Sequence, residues 1–481
     1  MKNYRSFVTL IGGFILLSGL LNLMGSCKKG DDNPPSPPPT KPKDSTKIIT
    51  SFSVKGPNGA VLDIADMSVS IKADSILVGV PFGTDLSHLT PSLTFSGVIL
   101  TPASGEEQDF TKPVVYTVQA EDTSKRKYVV VVTRMPIRNR VFVGGDNNKF
   151  YALDALTGAL KWDFTSTKPF SYSTATFKDS VVYVGGIDNY VYAFHAVTGK
   201  ILWKFLTGST GIEAPVTLDD KTIYVGCNDA IFYALDAQTG AEKWRYNTHG
   251  NISTGATVVN GIVYFGCSDS KEYALNAKTG QFVWSYTTGD MLNGSGQAVV
   301  DGKVYFGSRD GYLYAVNATD GGLVWKYSAG FSLEQSSPTV ANGVVYIAGW
   351  VGGSLYAVNA STGTLIWESL KKIGFSSSPT VSNGLLYISG DDGNFYAVNT
   401  SNGTPAWSKN IYPNSGNATV ADGVVYNSGG GYLGYFHAYN AITGADKWQF
   451  DTKNTALSFS GALVLDSQGR THYAGKSGME Q

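Results

Sequence analysis

The most regular feature of this chain is a series of short apolar runs, separated by turn residues, that returns about every 41 residues. A typical repeat has a first run, a two-residue turn, a second run, a third run ending in a phrase such as "YALDAQTG", and a fourth run carrying Trp, and the turn is Asn-Gly or Asp-Gly in five of the repeats. Short β-rich runs bounded by turn residues predict strands, and Asn-Gly or Asp-Gly between two runs predicts a two-residue hairpin with positive φ. Each repeat is therefore predicted to be a four-stranded sheet.

Eight copies of the repeat are present, and each contains one tryptophan four residues after a glycine. A period of 40 to 45 residues with several strands per unit predicts a β-propeller, because one sheet cannot bury both of its faces and eight sheets in a ring cover each other. We expect the tryptophan to be structural and to bury apolar area against the next blade. These residues are Trp162, Trp203, Trp244, Trp284, Trp325, Trp367, Trp407 and Trp448.

The two ends of the repeat region predict how the ring closes. The first copy lacks a first strand, and the C-terminal "LSFSGALVLDSQGRTHYAG" supplies one at about 458–465. We expect this segment to complete the N-terminal blade and to remove an open sheet edge. "RTHYAG" also looks like a second strand, so the sequence leaves open which terminus supplies the second strand of the closing blade. The propeller is assigned to residues 138–475.

The segment before the repeats has a different pattern. Residues 48–134 contain six or seven short β-rich runs, which predicts a small β-sandwich. Their ending, "YTVQAEDTSKRKYVVVVT", resembles the immunoglobulin-like modules of bacterial surface lipoproteins, where the module usually acts as a spacer. We therefore expect an all-β chain, with an eight-bladed β-propeller of four-stranded blades preceded by a small immunoglobulin-like β-sandwich.

The N-terminus has the pattern of an export signal. Positive residues precede a mostly apolar stretch, which predicts a secretory signal peptide over residues 1–26. "LMGSC" resembles a bacterial lipobox, which implies cleavage before Cys27 and lipidation of that residue. Several acyl chains would anchor the protein stably. Glycines and polar residues interrupt the apolar stretch, which disfavours an uncleaved transmembrane anchor. Residues 27–47 are rich in proline and predict an extended linker.

Composition excludes some classes of function. The chain has 37 Lys and Arg against 38 Asp and Glu, for a net charge of -1, and no basic cluster, so a nucleic-acid partner is not expected. The 56 glycines and 28 tyrosines are typical of turns and aromatic strands. Three cysteines do not predict a disulfide framework. Cys227 and Cys267 occupy equivalent positions in neighbouring copies and are expected to be small buried apolar residues.

The phrase "YALDAxTGxxxW" resembles the PQQ-like β-propeller repeat, and the resemblance covers residues 138–475. It implies the fold but leaves the function open. The family includes quinoprotein dehydrogenases, which hold pyrroloquinoline quinone (PQQ) and Ca²⁺ on the propeller axis. It also includes BamB-type lipoproteins, which bind no cofactor and scaffold outer-membrane protein assembly.

The residues needed for the dehydrogenase chemistry are not evident. The chain has neither the adjacent cysteine pair common in those enzymes nor a C-x-x-C-H haem motif. The candidate axial acids, Glu213 and Glu334, are three blades apart, whereas Ca²⁺ takes six or more oxygen ligands. We predict no catalytic residue, no metal site and no cofactor. PQQ and Ca²⁺ enter only under the alternative that the protein is a quinoprotein oxidoreductase.

A binding site is expected where the copies differ, because variable loops on a rigid framework commonly carry function. Most copies have Asp in the turn between the second and third strands, but one has "AGWVGG". Exposed aromatic residues in these loops could contact a protein strand or a sugar ring. The predicted aromatic rim consists of Trp350, Phe331, Phe375, Tyr412, Tyr432 and Tyr172.

Together these patterns predict a cell-envelope lipoprotein whose propeller is a non-catalytic binding scaffold for a protein or envelope component. A glycan-binding surface lipoprotein and a PQQ-dependent oxidoreductase are the alternatives. We expect a monomer attached to the membrane by its N-terminal lipid, with an outer-membrane or surface protein, or a glycan, as partner. The expected location is the outer membrane facing the cell surface, and a periplasmic orientation stays open.

Overall fold

The structure is a computed structural model that describes residues 41–62, 67–81, 84–208, 210–294, 296–411, 416–429, 434–452 and 461–473. Over these ranges the chain forms β-strands and one 3-10 turn, Pro57–Gly59. Across the same ranges there is no helix with the length and apolar character needed to cross a membrane.

The first seven strands form two sheets around one apolar core. β1 pairs with β4, and the second sheet has the order β2-β3-β7-β6-β5, in which β3 and β7 are parallel. Phe52, Tyr116 and Val130 are buried in the core that the two sheets share. The immunoglobulin-like identity of this unit stays a prediction. The strands are β1 (Ile48–Lys55), β2 (Ser68–Ile71), β3 (Ser75–Val80), β4 (Thr90–Ser96), β5 (Ile99–Thr101), β6 (Val114–Gln119) and β7 (Lys125–Arg134).

The remaining strands form successive sheets, numbered here one to eight in chain order. Sheet one has the order β10-β9-β8-β39-β40, and each later sheet has four strands in chain order. The strands of sheets one to four are β8 (Arg140–Gly144), β9 (Lys149–Asp154), β10 (Leu160–Thr165), β11 (Thr176–Lys178), β12 (Val181–Gly185), β13 (Tyr190–His195), β14 (Ile201–Leu206), β15 (Thr217–Asp219), β16 (Thr222–Gly226), β17 (Ile231–Asp236), β18 (Glu242–Asn247), β19 (Thr257–Val259), β20 (Ile262–Cys267), β21 (Lys271–Asn276) and β22 (Phe282–Thr287).

Sheets five to eight repeat the same plan, and the last two strands return to sheet one. They comprise β23 (Ala298–Val300), β24 (Lys303–Gly307), β25 (Tyr312–Asn317), β26 (Leu323–Ser328), β27 (Thr339–Ala341), β28 (Val344–Ala348), β29 (Leu355–Asn359), β30 (Leu365–Ser369), β31 (Thr380–Ser382), β32 (Leu385–Ser389), β33 (Asn394–Asn399), β34 (Pro405–Asn410), β35 (Thr419–Ala421), β36 (Val424–Gly429), β37 (Tyr435–Asn440), β38 (Asp446–Asp451), β39 (Leu463–Leu465) and β40 (Thr471–His472).

The predicted hairpins between first and second strands have the expected backbone. Asn260 and Gly261 join β19 to β20 with φ angles of 51° and 77°, and Asn342 and Gly343 join β27 to β28 with 51° and 74°. Positive φ at both turn residues is the type I′ geometry that suits the twist of paired strands. The sequence-based prediction of these turns is confirmed.

Each signature tryptophan joins its sheet to the next sheet in the ring. The indole nitrogen of Trp203, for example, donates a hydrogen bond to the carbonyl of Ala237 at 3.0 Å, and its ring lies against Gly240. The indole nitrogen of Trp448 in sheet eight donates to the carbonyl of Ala155 in sheet one at 3.0 Å. The last sheet therefore contacts the first through the same combination of indole hydrogen bond and ring packing, here called the inter-sheet lock, and this contact closes the ring.

The C-terminal segment completes sheet one, as predicted from the sequence. β39 pairs with β8 in antiparallel register, so a first strand from the C-terminus adjoins a second strand from the N-terminal repeat. The question that the sequence left open is answered, because β8 supplies the second strand. β40 pairs with the other side of β39.

Candidate functional site

The loops between successive sheets and the turns between second and third strands lie at one end of the ring, here called the loop face. Most of these loops insert one apolar side chain between neighbouring sheets. Phe375 belongs to this set and is fully buried, so its prediction as an exposed rim residue is wrong. The physical reason is that the position fills the gap between two sheets. The set comprises Phe170, Ile212, Ile252, Leu292, Leu333, Phe375 and Ile411.

The aspartates in the turns between second and third strands hold those turns in place by accepting a hydrogen bond from a tyrosine, and this contact is here called the aspartate brace. Asp229 accepts a hydrogen bond from the Tyr233 hydroxyl at 2.7 Å, and Asp310 accepts one from the Tyr314 hydroxyl at 2.6 Å. Burial raises the pKa of Tyr233 and the Asp229 carboxylate raises it further, so this hydroxyl remains a donor. Sequence reasoning noted the aspartates but missed their partner, although a tyrosine four residues later was the available signal.

Sheet six lacks this brace and presents apolar residues instead. Its turn carries Trp350 and Val351, and the Trp350 amide donates to the Ser332 carbonyl at 2.8 Å. Phe331 lies against the glycines of the same turn, since a Cβ at Gly349 would be 3.3 Å from the Cβ of Phe331. Phe331 is 39% exposed and Val351 68% exposed, while Trp350 is half-buried. We call Phe331, Trp350 and Val351 the apolar loop patch.

Charged groups flank the patch through the same loop. Glu334, three residues after Phe331, is only 4% exposed, and its carboxylate lies 3.9 Å from the guanidinium of Arg309. Burial raises the pKa of Glu334, and Arg309 offsets part of that rise. The Arg309 side chain is about half exposed. Because the Glu334 carboxylate is buried, only the Arg309 guanidinium is available to pair with a polar group of a ligand.

The other predicted rim residues do not join this patch. Tyr172 is 44% exposed with a φ of 69°, but it lies in the loop between sheets one and two, four sheets away around the ring. Tyr412, Tyr432 and the predicted lipidation site Cys27 lie outside the described residues.

The residues that would hold a quinone with Ca²⁺ are not brought together. Glu213 lies in the loop that enters sheet three, and Glu334 lies in the loop that enters sheet six. Over the ranges that the structure describes, no group of three or more His, Cys, Asp or Glu residues could hold a metal ion. This donor set does not fit Ca²⁺. Burial raises the pKa of the Cys227 and Cys267 thiols to about 11, so both stay protonated and unreactive at neutral pH.

A cleft of about 350 Å³ lies at the opposite end of the ring, where the C-terminal segment meets sheets two and three. Its cationic side chains already have acidic partners. Arg470 pairs with Asp466 at 2.8 Å, and Lys178 lies 3.6 Å from Asp220. The loop face therefore offers the better candidate for a partner site.

Two protein-family models match the chain. The model described as "Outer membrane protein assembly factor BamB" matches residues 146–295, 288–374 and 351–480. The model described as "SGBP, N-terminal" matches residues 49–132. No curated protein matches the chain.

Solved structures with the same architecture include BamB from Moraxella catarrhalis, which is 18% identical with a TM-score of 0.53. The alignment covers 63% of this chain and 96% of that one. The computationally designed Ika8 protein is 14% identical with a TM-score of 0.52, over 63% of this chain and 96% of that one. At these identities the likeness is one of fold. The sequence-based prediction of an all-β propeller is confirmed.

Proposed function

The chain belongs to the propeller family described as outer membrane protein assembly factor BamB, and from this premise we propose that it is a cell-envelope binding scaffold that holds a protein partner without catalysing a reaction. The observation that carries the proposal is the apolar loop patch. Its turn has Val351 where other turns have the bracing aspartate, and it places Trp350, the residue before Val351, in the turn against which the exposed Phe331 lies. Exposed apolar residues rimmed by polar groups commonly mark interaction sites on soluble proteins.

The composition of the patch suits a protein partner. Tryptophan and arginine are enriched among residues that contribute most to protein–protein binding, and they act best at the centre of a dry contact. Trp350 and Phe331 would be covered by the partner, and the half-exposed Arg309 would pair with an acidic or carbonyl group at the edge. This role needs no PQQ and no Ca²⁺, and we propose that the propeller works without either.

The N-terminus supplies the proposed attachment. Lipidation at Cys27 would anchor the chain, and the proline-rich linker up to residue 47 would hold the folded part away from the lipid. We propose an outer-membrane location facing the cell surface. The match of residues 49–132 to an SGBP N-terminal model supports a surface location.

A glycan is the second candidate ligand, because the exposed Phe331 and the half-buried Trp350 offer aromatic faces to a sugar ring. A pyranose ring could stack on Trp350 or Phe331 while its hydroxyls bond to Arg309. The two candidates use the same patch, so one set of variants tests both.

The combined substitution Trp350→Ala and Phe331→Ala is expected to weaken partner capture by about thirtyfold, since losing a central aromatic anchor costs about 2 kcal/mol or more. The measurement is affinity capture of the tagged full chain from its own envelope after crosslinking, with quantification of the recovered proteins. Tyr172→Ala, an exposed aromatic four sheets away, is the matched control and should leave capture unchanged.

Equal capture by the double variant and the Tyr172→Ala control would contradict the proposal. Recovery of envelope polysaccharide in place of protein, lost in the double variant, would favour the glycan candidate. Unchanged thermal unfolding of both variants would show that the ring is intact, because the substituted side chains lie outside the inter-sheet locks.

A further inference from the structure

The outer wall of the ring carries paired side chains that face solvent. Just before the tryptophan, a β-bulge shifts the pairing of the outermost strand with its neighbour. In sheet five, for example, Trp325 pairs with Ala315, whereas Leu323 pairs with Val316. Because a bulge sets two consecutive residues against one, the two residues before Trp325, Leu323 and Val324, both stay exposed. The outer wall is therefore described by one residue pair per sheet.

These pairs differ from sheet to sheet. Sheet three has Glu242 with Lys243, and sheet eight has Asp446 with Lys447. Sheets four, five and six instead have three consecutive aliphatic or aromatic pairs, each side chain 39–53% exposed. We call these six residues the apolar rim: Phe282, Val283, Leu323, Val324, Leu365 and Ile366.

The three pairs form one continuous arc. A Cβ at Gly321 would lie 2.7 Å from the Trp284 ring, and one at Gly363 would lie 2.7 Å from the Trp325 ring. Each pair therefore sits beside the turn that leads into the next pair. The arc is centred on Leu323 and Val324, with one pair of similar size on either side.

We propose that the apolar rim is a self-association surface and that its occupant is a second copy of this chain, related by a two-fold axis through sheet five. A two-fold interface uses the same patch on both copies, so the patch must complement itself. The rim meets that requirement because sheet five would meet sheet five, while sheet four would meet sheet six. Its six side chains carry no charge, so the pairs themselves bring no like charges together.

The exposed area fits a weak dimer. At roughly 200 Å² for a fully exposed large apolar residue, the six side chains offer about 500 Å² per copy. Two copies would bury at most about 1,000 Å² of these side chains, which is the lower limit for a specific interface. This inference is independent of the proposed partner on the loop face, and it opposes the monomer expected from the sequence.

Cysteine crosslinking of the full chain in cells tests the proposal. Val324→Cys should give a product of twice the chain's mass with a short bismaleimide, at least tenfold more than Leu202→Cys. Leu202 is the matched control because it precedes the tryptophan of sheet two and is 48% exposed. The buried Cys227 and Cys267 should not react.

Two further experiments test the geometry. Val283→Cys and Ile366→Cys should crosslink more in cells that make both chains than in cells that make either alone. The double substitution Leu323→Glu and Val324→Lys copies the pair found in sheet three. Added to the Val283→Cys and Ile366→Cys chains, it should abolish the crosslink between them without unfolding the ring. Equal crosslinking of Val324→Cys and Leu202→Cys, or a Val324→Cys product containing a different protein, would overturn the proposal.

Discussion

Replacing Gly321 by alanine is expected to lower the free energy of unfolding of the propeller by about 3–4 kcal/mol. The backbone at Gly321 has a φ of 72°, where an L-residue costs about 1–2 kcal/mol. The new Cβ would also lie 2.7 Å from Cε3 of Trp284, so the indole would have to move. That movement would strain its 3.0 Å hydrogen bond to the Ala318 carbonyl, and overpacking of this kind costs about 1–3 kcal/mol.

Gly302→Ala is the matched control for this prediction. Gly302 lies in the same sheet with a φ of 71°, but nothing would lie within 4 Å of its Cβ. Its substitution should lower the free energy of unfolding only by the cost of an L-residue at positive φ, about 1–2 kcal/mol. Urea unfolding monitored by tryptophan fluorescence reports the free energy of unfolding of the propeller alone, because all nine tryptophans lie between residues 162 and 448. Equal losses for the two variants would refute the steric role of the tryptophan.

The result would apply around the ring, because the lock recurs in every sheet. The tryptophan of each sheet lies on the turn glycine of the next, and the indole nitrogen donates to a backbone carbonyl there. The donors and acceptors are Trp162 to Ala196, Trp203 to Ala237, Trp244 to Ala277, Trp284 to Ala318, Trp325 to Ala360, Trp367 to Thr400, Trp407 to Ala441 and Trp448 to Ala155.

The sequence predicted what depends on local chemistry. Asn-Gly and Asp-Gly pairs fix a hairpin by their own backbone preferences, so the turn at Asn260 could be predicted without its surroundings. The C-terminal strand could be predicted because sheet one visibly lacked one. The carbonyl that accepts from each tryptophan could not, because it belongs to a different repeat about 34 residues away.

The candidate site was predicted only in part, and Phe375 explains why. Aromatic residues in variable loops can face solvent or fill the gap between sheets, and loop sequence alone does not separate the two. Comparison with the buried Ile212 and Leu333, which occupy the same place before a first strand, would have placed Phe375 inside. The structure places Phe331 against the turn that carries Trp350, a contact that loop sequence alone does not reveal.

A buried acid between sheets four and five shows a departure from the repeat that sequence reasoning overlooked. Glu272 occupies the position of Phe232 in sheet three and Leu313 in sheet five. It is 1% exposed, and Oε1 has no hydrogen-bond partner among the described residues. A buried polar group without a partner destabilises the fold by about 1–3 kcal/mol. Its charged form would be more costly still, so burial raises the pKa of Glu272 well above its ordinary 4.5.

Glu272→Leu, which copies the residue of sheet five, is therefore expected to stabilise the propeller by about 2–4 kcal/mol at pH 7. The pH dependence has a definite sign. Because the folded pKa is raised, the native state keeps a proton that the unfolded state loses above pH 4.5. Glu272 therefore lowers stability as pH rises through that window, by up to about 1.4 kcal/mol per pH unit, until the folded pKa is reached.

Glu272→Gln separates the charge from the buried polar group, because it keeps the shape, an acceptor oxygen and a donor group but does not titrate. The stability difference between Glu272→Gln and the natural chain should grow above pH 4.5 until the folded pKa of Glu272 is reached. The difference between Glu272→Leu and Glu272→Gln should stay constant over the same range. Other buried acids such as Glu334 are present in all three chains, so their titration cancels in these differences. Parallel stability curves for the natural chain and Glu272→Gln would mean that Glu272 ionises freely in the folded ring.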